Sequence, residues 1–250
     1  MGRRIALVVG IVLIASLAGD LSGRAEPIRA ATPRTPEPFL AKPKPRPSRP
    51  RRVVQPGTLV AYVRAGRVVA VRRARGGPVV ARLSSRTEFG SPRTFAVTRA
   101  VRGLRVITTE LPNGLTGWVD APRSLRLARV RVTLDVDLSA RLLHVRSAGR
   151  LLRTVRVGIG APGTPTPTGR FAITDKLRGS DYSAVYGCCI LALSGHQTNL
   201  PPGWTGGDRL AIHGGSTGGA VSTGCLHADE RDLRHLMRLV PLGAQIVIHP

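Results

Sequence analysis

The chain has 250 residues, enough for one or two domains, and carries a formal net charge of +24 with an isoelectric point near 11.8. That charge, mostly arginine, attracts polyanions such as nucleic acid, anionic lipid or wall phosphate polymer, although a compositional bias towards Arg, Ala, Gly and Pro produces the same excess. The cysteines and histidines, among them Cys188, Cys189, His196, His213, Cys225 and His227, fall in no paired C-x-x-C arrangement, which argues against a zinc site.

Residues 1–25 read as an export signal. Arg3 and Arg4 precede the apolar run "IALVVGIVLIASLAG", and Ser16-Leu17-Ala18 and Gly23-Arg24-Ala25 each offer a small-x-small cleavage site. The run is shorter than the roughly 20 residues of a membrane span; a retained anchor over residues 5–18 is the alternative. Export places the protein in the cell envelope or wall, at the outer face of the cytoplasmic membrane or secreted, and removes nucleic acid as its natural partner. Residues 26–52, "EPIRAATPRTPEPFLAKPKPRPSRPRR", are rich in Pro and basic charge and are expected to be a disordered tether.

Residues 53–128 read as short strands rich in β-branched residues: "LVAYV", "RVVAV", "PVVARL", "RTFAVT" and "LRVITTEL". "PNG" at 112–114 marks a turn before "TGWVDA". The segment holds no His or Cys. A small β-barrel ending in "GWV" resembles the bacterial SH3-like module, whose role would be wall or substrate positioning; a plain spacer is the competing reading.

From Val130 the alternation becomes strict. Val130, Val132, Leu134, Val136 and Leu138 share one face, predicting a single strand over 130–138. "RSAGR" reads as a hairpin turn between "RLLHV" and "LLRTVRVGIG". "GRFAIT", "DRLAIHG" and "AQIVIH" add strands. Leu233, Leu236, Met237 and Val240 fall at helical spacing, with Asp229 as N-cap and Pro241 and Gly243 as the stop. The chain is expected to be mainly β with one helix near its C-terminal end.

The chemistry concentrates at "AIHGG" and "AVSTGCLH". Outside the cytoplasm cysteines tend to pair, but three is odd, and Cys188 and Cys189 are neighbours whose direct bridge is rare. Any pairing within the chain would therefore involve Cys225; the preferred reading keeps Cys225 as the free thiol and the adjacent pair as packed or partly exposed residues. A thiol attacks as thiolate and needs a base. His213, where a strand gives way to a Gly-rich loop, is the candidate. Gly214 and Gly215 let the chain turn and leave a main-chain carbonyl to hold the imidazole. Folding of the loop is expected to bring His213 within hydrogen-bond reach of Cys225. The N–H groups of Gly224 and Cys225 are expected to form an oxyanion hole. Thiol, base, orienter and oxyanion site suit acyl transfer.

These residues resemble the L,D-transpeptidase catalytic domain, also called the YkuD domain. His213-Gly214 and Ser222-Thr223-Gly224-Cys225-Leu226 match its two motifs, and "TPTPTGRFAIT" at 164–174 matches its Thr-Pro-x-Gly-x-Phe segment. "VDLSARLLHV" resembles its opening strand and "LGAQIVI" its closing one. The resemblance covers residues 129–250 and implies a β-sandwich there. It departs at Thr223, where many members have His, and at His227, where many have Arg or Asn.

The resemblance implies a cysteine acyltransferase of peptidoglycan biosynthesis, working in cell wall organization and cell shape. Cys225, His213, Gly214 and Gly224 would be its catalytic positions. Ser222, Thr223, His227, Tyr186 and His196 would contact the peptidoglycan stem peptides, donor and acceptor. Loss of the terminal D-alanine from a tetrapeptide stem would leave a Cys225 thioester, and a neighbouring amine would take the acyl group in a 3→3 cross-link. Water as acceptor would make the same site a carboxypeptidase, and a protein amine would make it a wall anchor. No metal or cofactor is implied. A non-catalytic wall-binding protein, held to anionic wall polymers by its charge, is the competing class.

Overall fold

The computed structural model describes residues 57–120 and 122–250. The expected signal, membrane anchor and tether at 1–52 lie outside them.

The first seven strands are β1 (Thr58–Val63), β2 (Val68–Arg72), β3 (Val79–Ser84), β4 (Thr94–Ala100), β5 (Leu104–Ile107), β6 (Gly117–Val119) and β7 (Leu125–Val130). They form one antiparallel sheet in the order β3-β2-β6-β5-β4-β1-β7. Every strand contributes to one buried cluster that includes Val63, Val71, Leu83, Phe95, Val106, Val119 and Leu125. The sheet therefore curls round its own core. Its ladder ends at β3 and β7, with no pairing between them.

The next ten strands are β8 (Val132–Asp137), β9 (Leu142–Ser147), β10 (Arg150–Arg156), β11 (Ile159–Gly160), β12 (Gly169–Arg178), β13 (Cys189–His196), β14 (Arg209–Gly214), β15 (Ala220–Ser222), β16 (Leu226–Ala228) and β17 (Gln245–His249). Eight of them run in the order β10-β9-β8-β17-β12-β13-β14-β16, and β11 pairs with β15 beside them. The strand expected over 130–138 is two strands. Val130 ends β7, paired with Thr58 of β1, while Val132 begins β8, paired with Ser147 of β9. Alternation of apolar residues survives the break because residues on both sides face apolar neighbours; hydrophobic pattern alone cannot reveal a change of sheet.

Strand β12 changes partner along its length. Gly169–Ala172 pair with β17 and Ile173–Arg178 with β13. The two halves of the sheet share one core built on Leu134, Leu143, Phe171, Leu191, Ile212 and Leu226. Helix α1 (Glu230–Leu239) closes that core with Leu233 and Leu236, both fully buried. Burying each leucine contributes about 1.5–3 kcal/mol. Asp229 caps the helix as expected, accepting from the Asp232 N–H at 2.8 Å.

The two sheets are not joined by chain alone. Val60 and Val130 belong to the second core. Asn113 and His196 exchange two hydrogen bonds through the His196 main chain, 2.7 and 2.9 Å.

Candidate active site

The parallel pairing of β14 with β16 places the candidate residues. His213 lies in register with His227, and their rings are 4.7 Å apart. Cys225 immediately precedes β16. These residues and Tyr186, Ser222 and Thr223 line one cleft of about 540 Å³. Sequence separation between the two motifs is thus spanned by a strand pairing, not by a loop folding over.

His213 is 7% exposed. Its Nδ1 lies 2.8 Å from the Gly214 carbonyl oxygen, so Nδ1 carries the proton and donates, leaving Nε2 as the free base. The expected main-chain orienter is therefore present. The Tyr186 ring meets the imidazole edge-on at 4.9 Å. Gly214 permits this: a Cβ there would stand 2.9 Å from both the Gly187 Cα and the Tyr186 oxygen. Burial pushes the His213 pKa down to about 4, the Gly214 carbonyl acts against the fall, and neighbouring His227 adds to it. His213 is neutral at neutral pH.

Cys225 is a free thiol. Burial raises its pKa, and a backbone contact from Ala211 partly offsets this. The thiol is directed at the main chain of β14, 3.9 Å from the Arg209 oxygen. It makes no hydrogen bond to His213 among the described residues, contrary to expectation. The strand carbonyl of Arg209 takes the thiol instead.

The oxyanion expectation also needs correction. The Gly224 N–H donates to the Ser222 hydroxyl at 3.1 Å, and that hydroxyl donates to the Cys225 carbonyl at 2.6 Å. Ser222 thus orders the loop, and the Gly224 N–H is already occupied. Gly224 is needed for another reason. Its φ of 104° is left-handed, and a Cβ would fall 2.0 Å from the Gln197 amide nitrogen.

Gln197, buried and not recognised from the sequence, holds three loops together. Its Nε2 lies 3.1–3.2 Å from the Thr164, Pro165 and Thr223 carbonyl oxygens, and its Oε1 accepts from the Asn199 N–H. The motif segment at 164–166 completes the clamp: Thr164 Oγ1 donates to the Ser222 oxygen and Thr166 Oγ1 accepts from the Gly160 N–H. A Gln beside "TNLPPGW" gives no periodic signal that would single it out.

His227 lines the cleft with its Nδ1 buried and, among the described residues, without a hydrogen-bond partner. Burial lowers its pKa, offset in part by the Ser216 backbone. His196 does not reach the cleft. Its Nε2 donates to the Thr109 oxygen at 2.9 Å and its Nδ1 contacts Asp208 at 3.0 Å. It ties the two sheets together, and its expected contact with substrate is replaced by that structural role.

Cys188 and Cys189 are bonded to each other, against expectation. The general rarity of vicinal bridges was outweighed by local structure: a short 3-10 turn and Gly187, at a positive φ of 65°, deliver both residues to the start of β13. Oxidation within the pair still leaves Cys225 as the odd thiol. Among the described residues, no group of three His, Cys, Asp or Glu side chains is arranged to hold a metal ion.

Residues 131–248 match the model of the L,D-transpeptidase catalytic domain family. The YkuD protein of Bacillus licheniformis is 30% identical over 145 residues, covering 54% of this chain and 79% of the relative. The chain belongs to the L,D-transpeptidase family. YkuD of Bacillus subtilis is 29% identical over 121 residues, 46% of this chain and 65% of that protein. Among solved structures, an L,D-transpeptidase from Mycobacterium smegmatis aligns with TM-score 0.38 at 16% identity, covering 62% of this chain and 82% of the other. L,D-Transpeptidase 1 of Mycobacterium tuberculosis aligns with TM-score 0.35 at 21% identity over 54% of this chain and 77% of the other. The family match spans the second sheet; the SH3-like reading of the first sheet lies outside it.

Proposed function

We propose that the protein is an exported L,D-transpeptidase of peptidoglycan that uses Cys225 as nucleophile and His213 as base. The observation that carries this reading is a lone free thiol sharing a cleft with a neutral imidazole whose proton is fixed on Nδ1 by the Gly214 carbonyl.

In the first half-reaction Cys225 Sγ turns from the Arg209 carbonyl towards the donor carbonyl. His213 Nε2 takes the thiol proton as the C–S bond forms. The tetrahedral oxyanion is held by the Cys225 N–H, since the Gly224 N–H is bound to Ser222. Collapse breaks the amide to the terminal D-alanine, whose amine receives the proton from His213, and a thioester remains. In the second half-reaction an amine of a neighbouring stem attacks the thioester carbonyl. His213 accepts its proton, the thiolate leaves, and the proton returns to sulfur. The product is a 3→3 cross-linked peptide. The same thioester opened by water gives carboxypeptidase activity.

His227, on the cleft wall with no hydrogen-bond partner for its Nδ1 among the described residues, is assigned to substrate contact, and Thr223, whose carbonyl is held by Gln197, stands where many members have histidine. The charge of +24 would favour retention on anionic wall polymers.

Incubation with a tetrapeptide muropeptide, followed by mass spectrometry of products and intact protein, tests the reading. Release of D-alanine with a thioester adduct or a dimeric muropeptide, absent in Cys225→Ala, is expected. Binding without turnover in both proteins would favour the wall-binding alternative.

A further inference from the structure

We propose that Phe89, carried by the first sheet, forms one wall of the donor-peptide cleft, so that this sheet is part of the substrate site. The inference rests on the transpeptidase reading for the identity of the peptide, but not for the existence of the wall.

The segment between β3 and β4 is a tight turn. The Gly90 N–H donates to the Thr87 oxygen at 3.0 Å, and Thr87 and Ser91 are joined by two further hydrogen bonds. Thr87 Oγ1 donates to the Asp175 carboxylate, which is fully buried in the second sheet. This anchors the turn across the boundary between the sheets and directs Phe89 into the cleft that holds Cys225 and His213. There the Phe89 ring meets Tyr182 edge-on, with centroids 6.0 Å apart.

Arg209 couples this wall to the nucleophile. Its guanidinium pairs with Glu88, lies 5.7 Å over the Phe89 ring, and donates to the Leu193 oxygen and Thr174 hydroxyl. Its main-chain oxygen is the acceptor facing the Cys225 thiol. One residue therefore sets the positions of both the aromatic wall and the resting thiol.

A purely structural aromatic at this boundary would be covered. Phe89 is half-buried, and the cleft mouth beside it is apolar and open: Tyr182 is 48% exposed, Trp204 45% and Val221 54%. Open aromatic surface in a cleft suits the unreacting body of a peptide, whose backbone and aliphatic side-chain stems can lie on the rings and leave the scissile carbonyl to Cys225.

The test compares wild type, Phe89→Ala and Phe89→Leu in the full chain. For Phe89→Ala, KM for a tetrapeptide muropeptide is expected to rise roughly three- to tenfold with little change in kcat. Phe89→Leu should recover most of the loss. Alkylation of Cys225 by iodoacetamide should proceed equally in all three, which separates a lost wall from a displaced thiol. If the wild type shows no turnover, the transpeptidase reading falls, and the wall is read from muropeptide binding by calorimetry, where Phe89→Ala should weaken Kd by the same factor. Equal KM and equal Kd in wild type and Phe89→Ala, or absence of binding by the wild type, would overturn the inference.

Discussion

His213 Nδ1 lies 2.8 Å from the carbonyl oxygen of Gly214, the next residue in the chain. Among the described residues, no side-chain carboxylate is hydrogen-bonded to this imidazole. A neutral carbonyl fixes the tautomer but does little to stabilise an imidazolium, and burial opposes it, so the pKa falls to about 4. Burial likewise keeps Cys225 protonated. The resting pair is thiol and imidazole, not thiolate and imidazolium. Iodoacetamide should therefore alkylate Cys225 slowly at neutral pH, with a rate that climbs past the ordinary thiol pKa of about 8.5. Intact-mass kinetics across pH check this. A rate already level at pH 6 would mean a preformed ion pair.

The same burial links folding to pH. His213 binds its proton near pH 6.5 when unfolded and near pH 4 when folded. Between those values the unfolded chain holds more protons, so stability rises with pH across the window and is complete above about 6.5. The full difference corresponds to roughly 3 kcal/mol. Urea denaturation at pH 4.5 and 7 should show this loss on acidification in the wild type and a smaller one in His213→Gln. Equal pH dependence in the two proteins would place the titrating group elsewhere.

Gly224 makes a sharper prediction about the loop that carries Cys225. In Gly224→Ala the residue keeps a left-handed φ, at a cost of about 1–2 kcal/mol, and its Cβ displaces the Gln197 amide from three carbonyls. Activity should fall at least roughly tenfold and Tm by about 3 °C or more. Gly218→Ala, in the loop before β15, where a Cβ would meet only the Ser216 hydroxyl at an ordinary 3.5 Å and no positive φ is required, should change neither by much. Differential scanning calorimetry beside muropeptide assays distinguishes the two variants.

How much of this site could be read from the sequence depends on the range of each interaction. The free Cys225 thiol, the Gly214 carbonyl on His213 and the Ser222 hydroxyl that orders its loop depend on contacts within three residues, and that geometry was legible there. Helix α1 was legible because Asp229, Leu233 and Leu236 report a local period and a local cap. Gln197 and His196 were not. The contacts that define their roles, to Thr223, Thr164 and Thr109, span 26 to 87 residues, and one side chain carries no pattern that points to them. The break at Arg131 failed for a related reason: alternation tells which side of a strand is apolar, not which sheet that side belongs to. The Cys188–Cys189 bridge was not legible because neighbouring cysteines rarely bond and the turn geometry that lets these two do so leaves no sequence pattern.

His196 gives the clearest test of the corrected assignment. As a substrate residue its environment would matter to KM. As a tie between sheets it should matter to stability alone. Asn113 grips the His196 main chain from the first sheet through two hydrogen bonds and does not line the cleft. Asn113→Ala should therefore cost about 1–3 kcal/mol in chemical denaturation, because it leaves the His196 N–H and carbonyl without their partners. KM and kcat for the tetrapeptide should stay within about twofold of wild type, a change in binding of less than about 0.5 kcal/mol. His196→Ala should follow the same direction, losing the Thr109 contact as well. A KM that rises in both variants while stability holds would return His196 to the substrate site, and would require the strand end at His196 to approach the donor peptide more closely than the cleft lining indicates.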